Sequence, residues 1–183
     1  MAGTIEDLEL GPCVVQYGTS GAEVDLGFTM GGVNVTVATD VANVTTDQFG
    51  TVIMKQIVVG RNATIRVPFA ETSLLLMSKI IPLASHVTDA TVSTKKKTII
   101  NTPIGADLVA SNAQSLKLIK AIGASASTDP GDVFRFYKAS PSGEITFNFS
   151  IENQRIWEVE FTAFPDSTQD FALGVFGDES AAA

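Results

Sequence analysis

The stretch RIWEVEFTAF, residues 155 to 164, alternates apolar and polar side chains with a period of two. The apolar positions are Trp157, Val159, Phe161 and Ala163, and the polar positions are Glu158, Glu160 and Thr162. Such a period is typical of a β-strand that turns one face to a core and the other to solvent. DVFRFYKA and EITFNFSI alternate in the same way just before it. The three segments together predict an antiparallel meander with one apolar side.

The first third of the chain also predicts strands separated by turns. After a turn at Gly31-Gly32, Val33, Val35 and Val37 alternate with polar residues, and a second turn is expected at residues 47–50. TVIMKQIVV, residues 51–59, is apolar on both faces and therefore predicts burial on both sides. A turn near residues 60–62 is expected to separate it from a third strand.

FAETSLLLMSKIIP, residues 69–82, has the period of a helix. Proline is tolerated in the first turn of a helix, so Pro68 predicts its start, and Pro82 predicts its end. Most of its apolar residues share one broad face, which predicts packing across a sheet. Leu75 lies outside that face, either as an ordinary exposed leucine or as a contact with a neighbouring subunit. The fold class predicted is mainly β: an antiparallel β-sandwich or barrel with one packed α-helix at about residues 69–81.

Composition indicates that this chain hides surface by association. The 183 residues suit one domain, with an extended arm at about residues 1–12 and a loose tail at about 177–183. Apolar residues make up 45% and charged residues only 17%, with a mean hydropathy of +0.24, so oligomerisation is expected. One cysteine and one histidine predict no disulfide, no metal site and no cofactor. The acidic N-terminus is unlike a signal peptide and no apolar window reaches membrane-spanning length, which predicts a cytosolic origin and no membrane insertion.

Charge is unevenly distributed along the chain. Residues 1–54, 55–140 and 141–183 carry net charges of −7, +6 and −7. Two interpretations stay open: these are solvated faces, or they meet between identical subunits and set their register. The run Lys95-Lys96-Lys97 is likewise either a solvated edge strand or a contact with a polyanion.

Catalytic chemistry has little to build on in this sequence. His86, with Asp89 three residues later, is the one candidate for the base of a nucleophilic catalytic site. A structural histidine is the simpler interpretation. Glu158 and Glu160 share a strand face and could serve as hydrolase acids, although an outward polar face explains them better. The sequence therefore predicts a protein that is not an enzyme.

Several segments, taken in order, resemble the major tail tube proteins of long-tailed bacteriophages. They are YGTSGAEVDLGFTMGGVNV, VTTDQFGT, GRNATIRVPFAETSLLLMSKIIP, GEITFNFSIENQRIWEVEFTAFPD and GVFGDE. Residues 83–115 have no counterpart in that pattern. The resemblance implies a β-sandwich crossed by one helix, six copies to a ring, and rings stacked into a hollow tube. It also implies tape-measure and tail-end proteins as partners, phage DNA crossing the lumen without sequence-specific binding, and a place in the virion tail after synthesis in the bacterial cytoplasm.

The resemblance leads to two sets of candidate residues. Acidic groups facing the lumen would repel DNA phosphates, and the candidates are Asp40, Asp47, Glu158 and Glu160. The candidates for contacts between subunits or rings are Gln48, Phe49, Leu75, Lys95, Lys96 and Lys97.

Three alternatives stay open at this point. The first is the tube protein of a contractile tail or of a type VI secretion system. The second is a capsid decoration or carbohydrate-binding β-sandwich, which should show a cluster of exposed aromatics. The third is an enzyme centred on His86.

Overall fold

A computed structural model describes residues 11–71, 73–102, 104–123, 125–141, 145–146 and 155–181. The strands are β1 (Cys13–Gly18), β2 (Val24–Asp25), β3 (Asn34–Val44), β4 (Lys55–Phe69), β5 (Ser85–Thr88), β6 (Lys96–Ile99), β7 (Gln114–Ile122), β8 (Ser125–Ala126), β9 (Val133–Pro141), β10 (Trp157–Phe164) and β11 (Gly174–Phe176). The α-helices are α1 (Leu74–Ile80) and α2 (Leu108–Asn112). The predicted class, mainly antiparallel β with a packed helix, is confirmed.

Nine strands form one antiparallel sheet whose main path runs β2-β1-β7-β9-β10-β4-β3. β8 pairs with β7 and β11 pairs with β9, beside that path. The sheet is not closed, since no described pairing joins β2 to β3. Its inner face holds the core, which includes Val15, Tyr17, Ile65, Val67, Phe69, Leu116, Phe136, Trp157, Val159 and Phe161. β5 and β6 form a second, two-stranded sheet.

The C-terminal strands match their predicted period, but their order differs from the prediction. Trp157, Val159 and Phe161 are at most 3% exposed, as the alternation predicted. β9 pairs directly with β10, so no strand separates them as the predicted meander required. Thr146 bridges Glu158 on the same side of β10. The remainder of the predicted middle strand, residues 147–151, lies outside the described residues, as do residues 1–10 of the expected arm.

The helix begins later than predicted. Pro68 and Phe69 belong to β4, where they pair with Glu158 and Trp157, so the expectation that Pro68 starts the helix was wrong. The reason is that Phe69 continues the buried alternation of the strand, and burial outweighs the local preference of proline. Ser73 caps the helix instead, its hydroxyl accepting a hydrogen bond from the Leu76 amide at 3.1 Å. The end at Ile80, before Pro82, agrees with the prediction.

β3 and β4 form one long hairpin. Its turn at residues 47–50 was predicted correctly, with a 3-10 turn at Asp47–Phe49 and a positive φ of 61° at Gly50. The turn expected near residues 60–62 does not exist, because β4 runs unbroken through it. Gly60 instead lies beside a β-bulge: Asp40 pairs with Gly60, and the next pair is Val41 with Val58.

Residues 83–107 form a lobe beside α1. The Thr98 hydroxyl donates to the Leu74 carbonyl at 2.6 Å, and the Asn101 amide donates to the Leu83 carbonyl at 2.8 Å. The lysine-rich strand predicted here is β6, which has one neighbour, β5, among the described strands. We call residues 83–107 the basic lobe.

Candidate assembly surface

The part of the β3–β4 hairpin that extends past β10 is the most exposed apolar feature of the described chain. Pairing between β4 and β10 ends at Ala63 with Ala163, so residues 38–62, here called the hairpin arm, have no further strand of the described chain beside them. Nine large apolar side chains of the arm are 40% to 66% exposed: Val41, Val44, Phe49, Val52, Ile53, Met54, Ile57, Val58 and Val59. The predicted burial of residues 51–59 is therefore wrong for the single chain, because the sheet that would cover them stops short.

The hairpin arm also leaves two backbone edges unpaired. Among the described strands, none pairs with the outer edge of β3 along its 11 residues, and none pairs with the inner edge of β4 from Lys55 to Asn62. Asp40 is the one charged residue of β3. Proteins usually protect such edges with lysine, proline or a covering element, because a long apolar edge pairs with other chains. A two-stranded hairpin is also only marginally stable in water by itself. Both facts favour a second chain as the cover.

One outer face of the sheet is polar, and three of the predicted acids lie on it. Asp40, Glu158 and Glu160 lie on the side of Arg66 and Thr64, away from the core. Arg66 pairs with Glu160 at 2.8 Å, with 66% and 37% of the two side chains exposed. The Asn62 amide donates to Asp40 at 3.2 Å. This polar face therefore carries three carboxylates and one arginine among its named residues, so it is net negative.

The other predicted residues lie at three separate places. Asp47, Gln48 and Phe49 form the tip of the hairpin arm, where Phe49 is 60% exposed. Leu75 is 51% exposed on α1. The three lysines, Lys95 to Lys97, lie on the basic lobe. Their assignment to contacts between subunits stays a prediction, as does the lumen-facing role of the acids.

A cluster of phenylalanines near the C-terminus escaped the sequence reasoning. Phe134 and Phe176 meet edge to face with ring centroids 5.1 Å apart, and Phe171 is 71% exposed beside them. Phe171, Phe176, Val58 and Val59 line a groove of about 610 Å³, and Phe134 contacts the ring of Phe176. We call this set of five residues the phenylalanine patch. The available signal was QDFALGVFGDE, in which two phenylalanines stand among acidic residues.

The turn that presents the phenylalanine patch is strained. Asp170 and Phe171 have φ of 50° and 59°, and both are in the left-handed region. That conformation costs an L-residue roughly 1–2 kcal/mol, and it is an outlier for a bulky side chain. Here it holds a large apolar ring in water. Strain of this kind concentrates at sites of contact.

The catalytic alternative gains no support from the geometry around His86. Asp89 accepts hydrogen bonds from the Val92 and Thr91 amides, both at 2.8 Å, and the bond from Val92 is the main cause that lowers the pKa of Asp89. The histidine Nε2 instead lies 3.5 Å from the Thr88 hydroxyl. Across the described ranges, no three acidic, histidine or cysteine side chains group as metal ligands would. None of the described helices has the length and apolar character needed to cross a membrane.

One buried ion pair braces the β1–β7 side of the sheet. Glu23 and Lys117 approach to 3.1 Å, and the glutamate side chain is only 4% exposed. Burial by itself would raise the pKa of Glu23, but hydrogen bonds from its own backbone amide, Lys117 and Ser115 outweigh burial and lower it.

Comparison with solved structures gives a weak likeness. A chain of the virion of a native gene transfer agent particle aligns over 88% of this chain and 93% of its own length, with a TM-score of 0.44 and 9% identity. No protein-family model and no curated protein matches the sequence.

Proposed function

We propose that this protein is the subunit of a phage-type tail tube, in which six copies form a ring and rings stack into a hollow conduit for DNA. The observation that carries the proposal is the hairpin arm. Its two unpaired edges and its apolar side chains on both faces need a cover that the described chain does not supply. Edges that are complementary and lie on opposite sides of one chain add copies head to tail, and a ring results when the rotation closes.

The polar face fits the inside of such a conduit. Asp40, Glu158 and Glu160 share it, so a sheet continued from copy to copy would present the same acids at every position around the tube. Negative groups repel phosphate and keep DNA from adhering. The core side of the sheet would then face the outside of the tube, where it would carry the helix and the basic lobe. The resemblance of the segments to major tail tube proteins supports the same arrangement, with a tape-measure protein inside during assembly.

The test is electron microscopy and sedimentation of the purified protein. Wild-type protein should form rings or hollow tubes of uniform width. The variant Ala42→Lys/Val44→Lys places charges along the edge strand without touching the core, and should remain monomeric while keeping the wild-type unfolding midpoint. Ile122→Lys is the matched control, since Ile122 is 64% exposed at the far end of β7.

Three outcomes decide the proposal. Tubes that are lost in the edge variant and kept in the control support it. Tubes that form equally well with lysines on the edge contradict the role of the hairpin arm. A wild-type protein that stays monomeric at every concentration, both alone and with added tape-measure and tail-end proteins, contradicts the whole proposal.

A binding module is the second candidate, because exposed aromatics do occur. Phe134, Phe171 and Phe176 form the cluster that such a module requires, although Trp157 is buried at 3% exposure. Phenylalanine has no polar handle for sugar hydroxyls, which favours a protein contact over a carbohydrate. Glycan-array binding by a monomer, lost on Phe171→Ser, would support this candidate against the tube subunit.

A further inference from the structure

The basic lobe carries exposed apolar side chains and exposed lysines. Ile104 is fully exposed at 101%, and Ile100, which directly follows β6, is 65% exposed. Lys95 directly precedes β6 and Lys96 and Lys97 begin it, in the same lobe, and none of the three has an ion-pair partner among the described residues. Exposed apolar side chains and unpaired lysines on one lobe fit a contact with an apolar surface that carries negative charge.

The phenylalanine patch has the complementary chemistry. Phe171 is 71% exposed and Phe176 is 56% exposed at a groove that Val58, Val59 and Arg61 also line. Asp170 and Asp178 flank the rings, and neither is in an ion pair with a described cation. The segment that carries the patch belongs to the C-terminal third, with its net charge of −7.

Within one chain the two surfaces are held on different elements. The basic lobe packs on α1, through the Thr98 hydroxyl bond to Leu74 at 2.6 Å. The phenylalanine patch packs on β9, where β11 pairs Gly174 with Phe136. Each is left open by its own chain, so a second copy can offer the missing half of both.

We propose that the basic lobe of one copy docks on the phenylalanine patch of a second copy, with Ile104 and Ile100 in the groove and the lysines opposite Asp170 and Asp178. This deepens the proposed tube function and rests on it: the contact joins one ring to the next. It is heterologous, using two different surfaces, so it leaves an open lobe at one end and an open patch at the other. Repeating this contact adds ring after ring, so the stack can grow without closing on itself. It also gives residues 83–107, which lack a counterpart in the tail tube pattern, a role.

The first experiment mixes two variants that each lose one half of the contact. Ile104→Ser retains the patch, and Phe171→Ser retains the lobe. Each alone should form single rings and no tubes, with at least a tenfold loss of stacked material in sedimentation. Preassembled rings of the two variants, once mixed, should give a species of twice the ring mass and nothing larger. Ile122→Ser, the matched exposed isoleucine, should stack as wild type does.

A charge exchange tests the lysines separately. Lys95→Glu/Lys97→Glu should abolish stacking, and Asp170→Lys/Asp178→Lys in a second batch of protein should restore it on mixing. Raising the salt concentration should weaken the wild-type contact, because both surfaces are solvent-exposed before docking. All variants change exposed positions, and each is first checked for the wild-type unfolding midpoint.

The outcomes separate this inference from the tube proposal. Tubes formed by either serine variant alone, or no gain in mass on mixing, overturn the lobe–patch contact while leaving ring formation intact. A wild-type protein that forms no rings overturns the tube proposal. The contact is then judged by mixing Ile104→Cys with Phe171→Cys: a disulfide-linked dimer of the two variants supports it, and the absence of that dimer overturns it.

Discussion

Tyr17 offers a sharp test of how the described core is held together. Its hydroxyl is buried and donates to the Asn112 carbonyl at 2.7 Å, with the Ala139 carbonyl at 3.2 Å. The Asn112 carbonyl belongs to the last turn of α2, where helix carbonyls lack partners inside the helix. Burial raises the pKa of Tyr17 well above its usual range, so the hydroxyl stays a donor at all ordinary pH values.

Tyr17→Phe removes this hydroxyl and little else. The ring keeps its tilted contact with Phe161, whose centroid lies 5.3 Å away. A buried carbonyl left without its donor costs about 1–3 kcal/mol. For a chain of this length that corresponds to a fall in melting temperature of about 2–12 °C.

The assay is urea unfolding followed by the emission of Trp157, which is 3% exposed and is the one tryptophan of the chain. Protein concentrations at which sedimentation shows one species prevent assembly from adding to the apparent stability. The midpoint should fall with the slope unchanged. Tyr137→Phe, the other tyrosine, is the control and should change the free energy of unfolding by less than about 0.5 kcal/mol. An equally small effect for Tyr17→Phe would refute the reasoning.

Three further predictions follow. Gly174→Ala should destabilise the fold by about 1–3 kcal/mol in urea unfolding, because its Cβ would fall on the Arg135 carbonyl oxygen. Glu23→Gln should lower stability at neutral pH. Since the pKa of Glu23 is lowered from 4.5 in the folded chain, the gap to wild type should be full above that value and close as pH falls through the folded pKa in pH-dependent unfolding. Tubes of Asp40→Lys/Glu158→Lys should retain DNA at low salt in co-sedimentation, and wild-type tubes should not.

Each of these has a result that contradicts it. Gly11→Ala is the control for Gly174→Ala, because its Cβ would meet only an ordinary contact with Ala121 at 3.7 Å. Equal stability of the two alanine variants would contradict the steric argument. A gap between Glu23→Gln and wild type that widens in acid would contradict the lowered pKa. Lysine-bearing tubes that release DNA as wild type does would contradict a lumen-facing position for the two acids.

Period-two alternation predicted the strands that have one buried face. β10 matches it residue by residue, because each of its odd positions meets the core and each even position lies outward. The same reasoning failed for residues 51–59. A run that is apolar on both faces indicates that the strand is covered, but it does not indicate whether the covering element belongs to the same chain.

Local turn and helix signals failed where strand pairing overrode them. Gly60 was interpreted as a turn, although glycine serves a bulge equally well. Pro68 was interpreted as the start of a helix, but pairing with β10 keeps it in the strand. The phenylalanine patch was invisible for another reason: Phe134 and Phe176 meet only because β11 folds back onto β9.

The bulge opposite Asp40 determines which side chains of the hairpin arm lie on the core side and which lie on the polar side. Val59 has no partner on β3, so beyond it the even-numbered residues of β4 change sides: Gln56 bonds Asn43 at 3.0 Å on the core side, whereas Asn62 meets Asp40 on the polar side. Adding or removing two residues in each strand beyond this point would alter the reach of the arm and preserve which face each side chain presents. Removing Val59 alone would take out the bulge and keep the pairs of Asp40 with Gly60 and of Val41 with Val58. The arm can therefore change length by two residues in each strand without turning its apolar side chains to the other face, whereas a change of one residue in each strand would turn them.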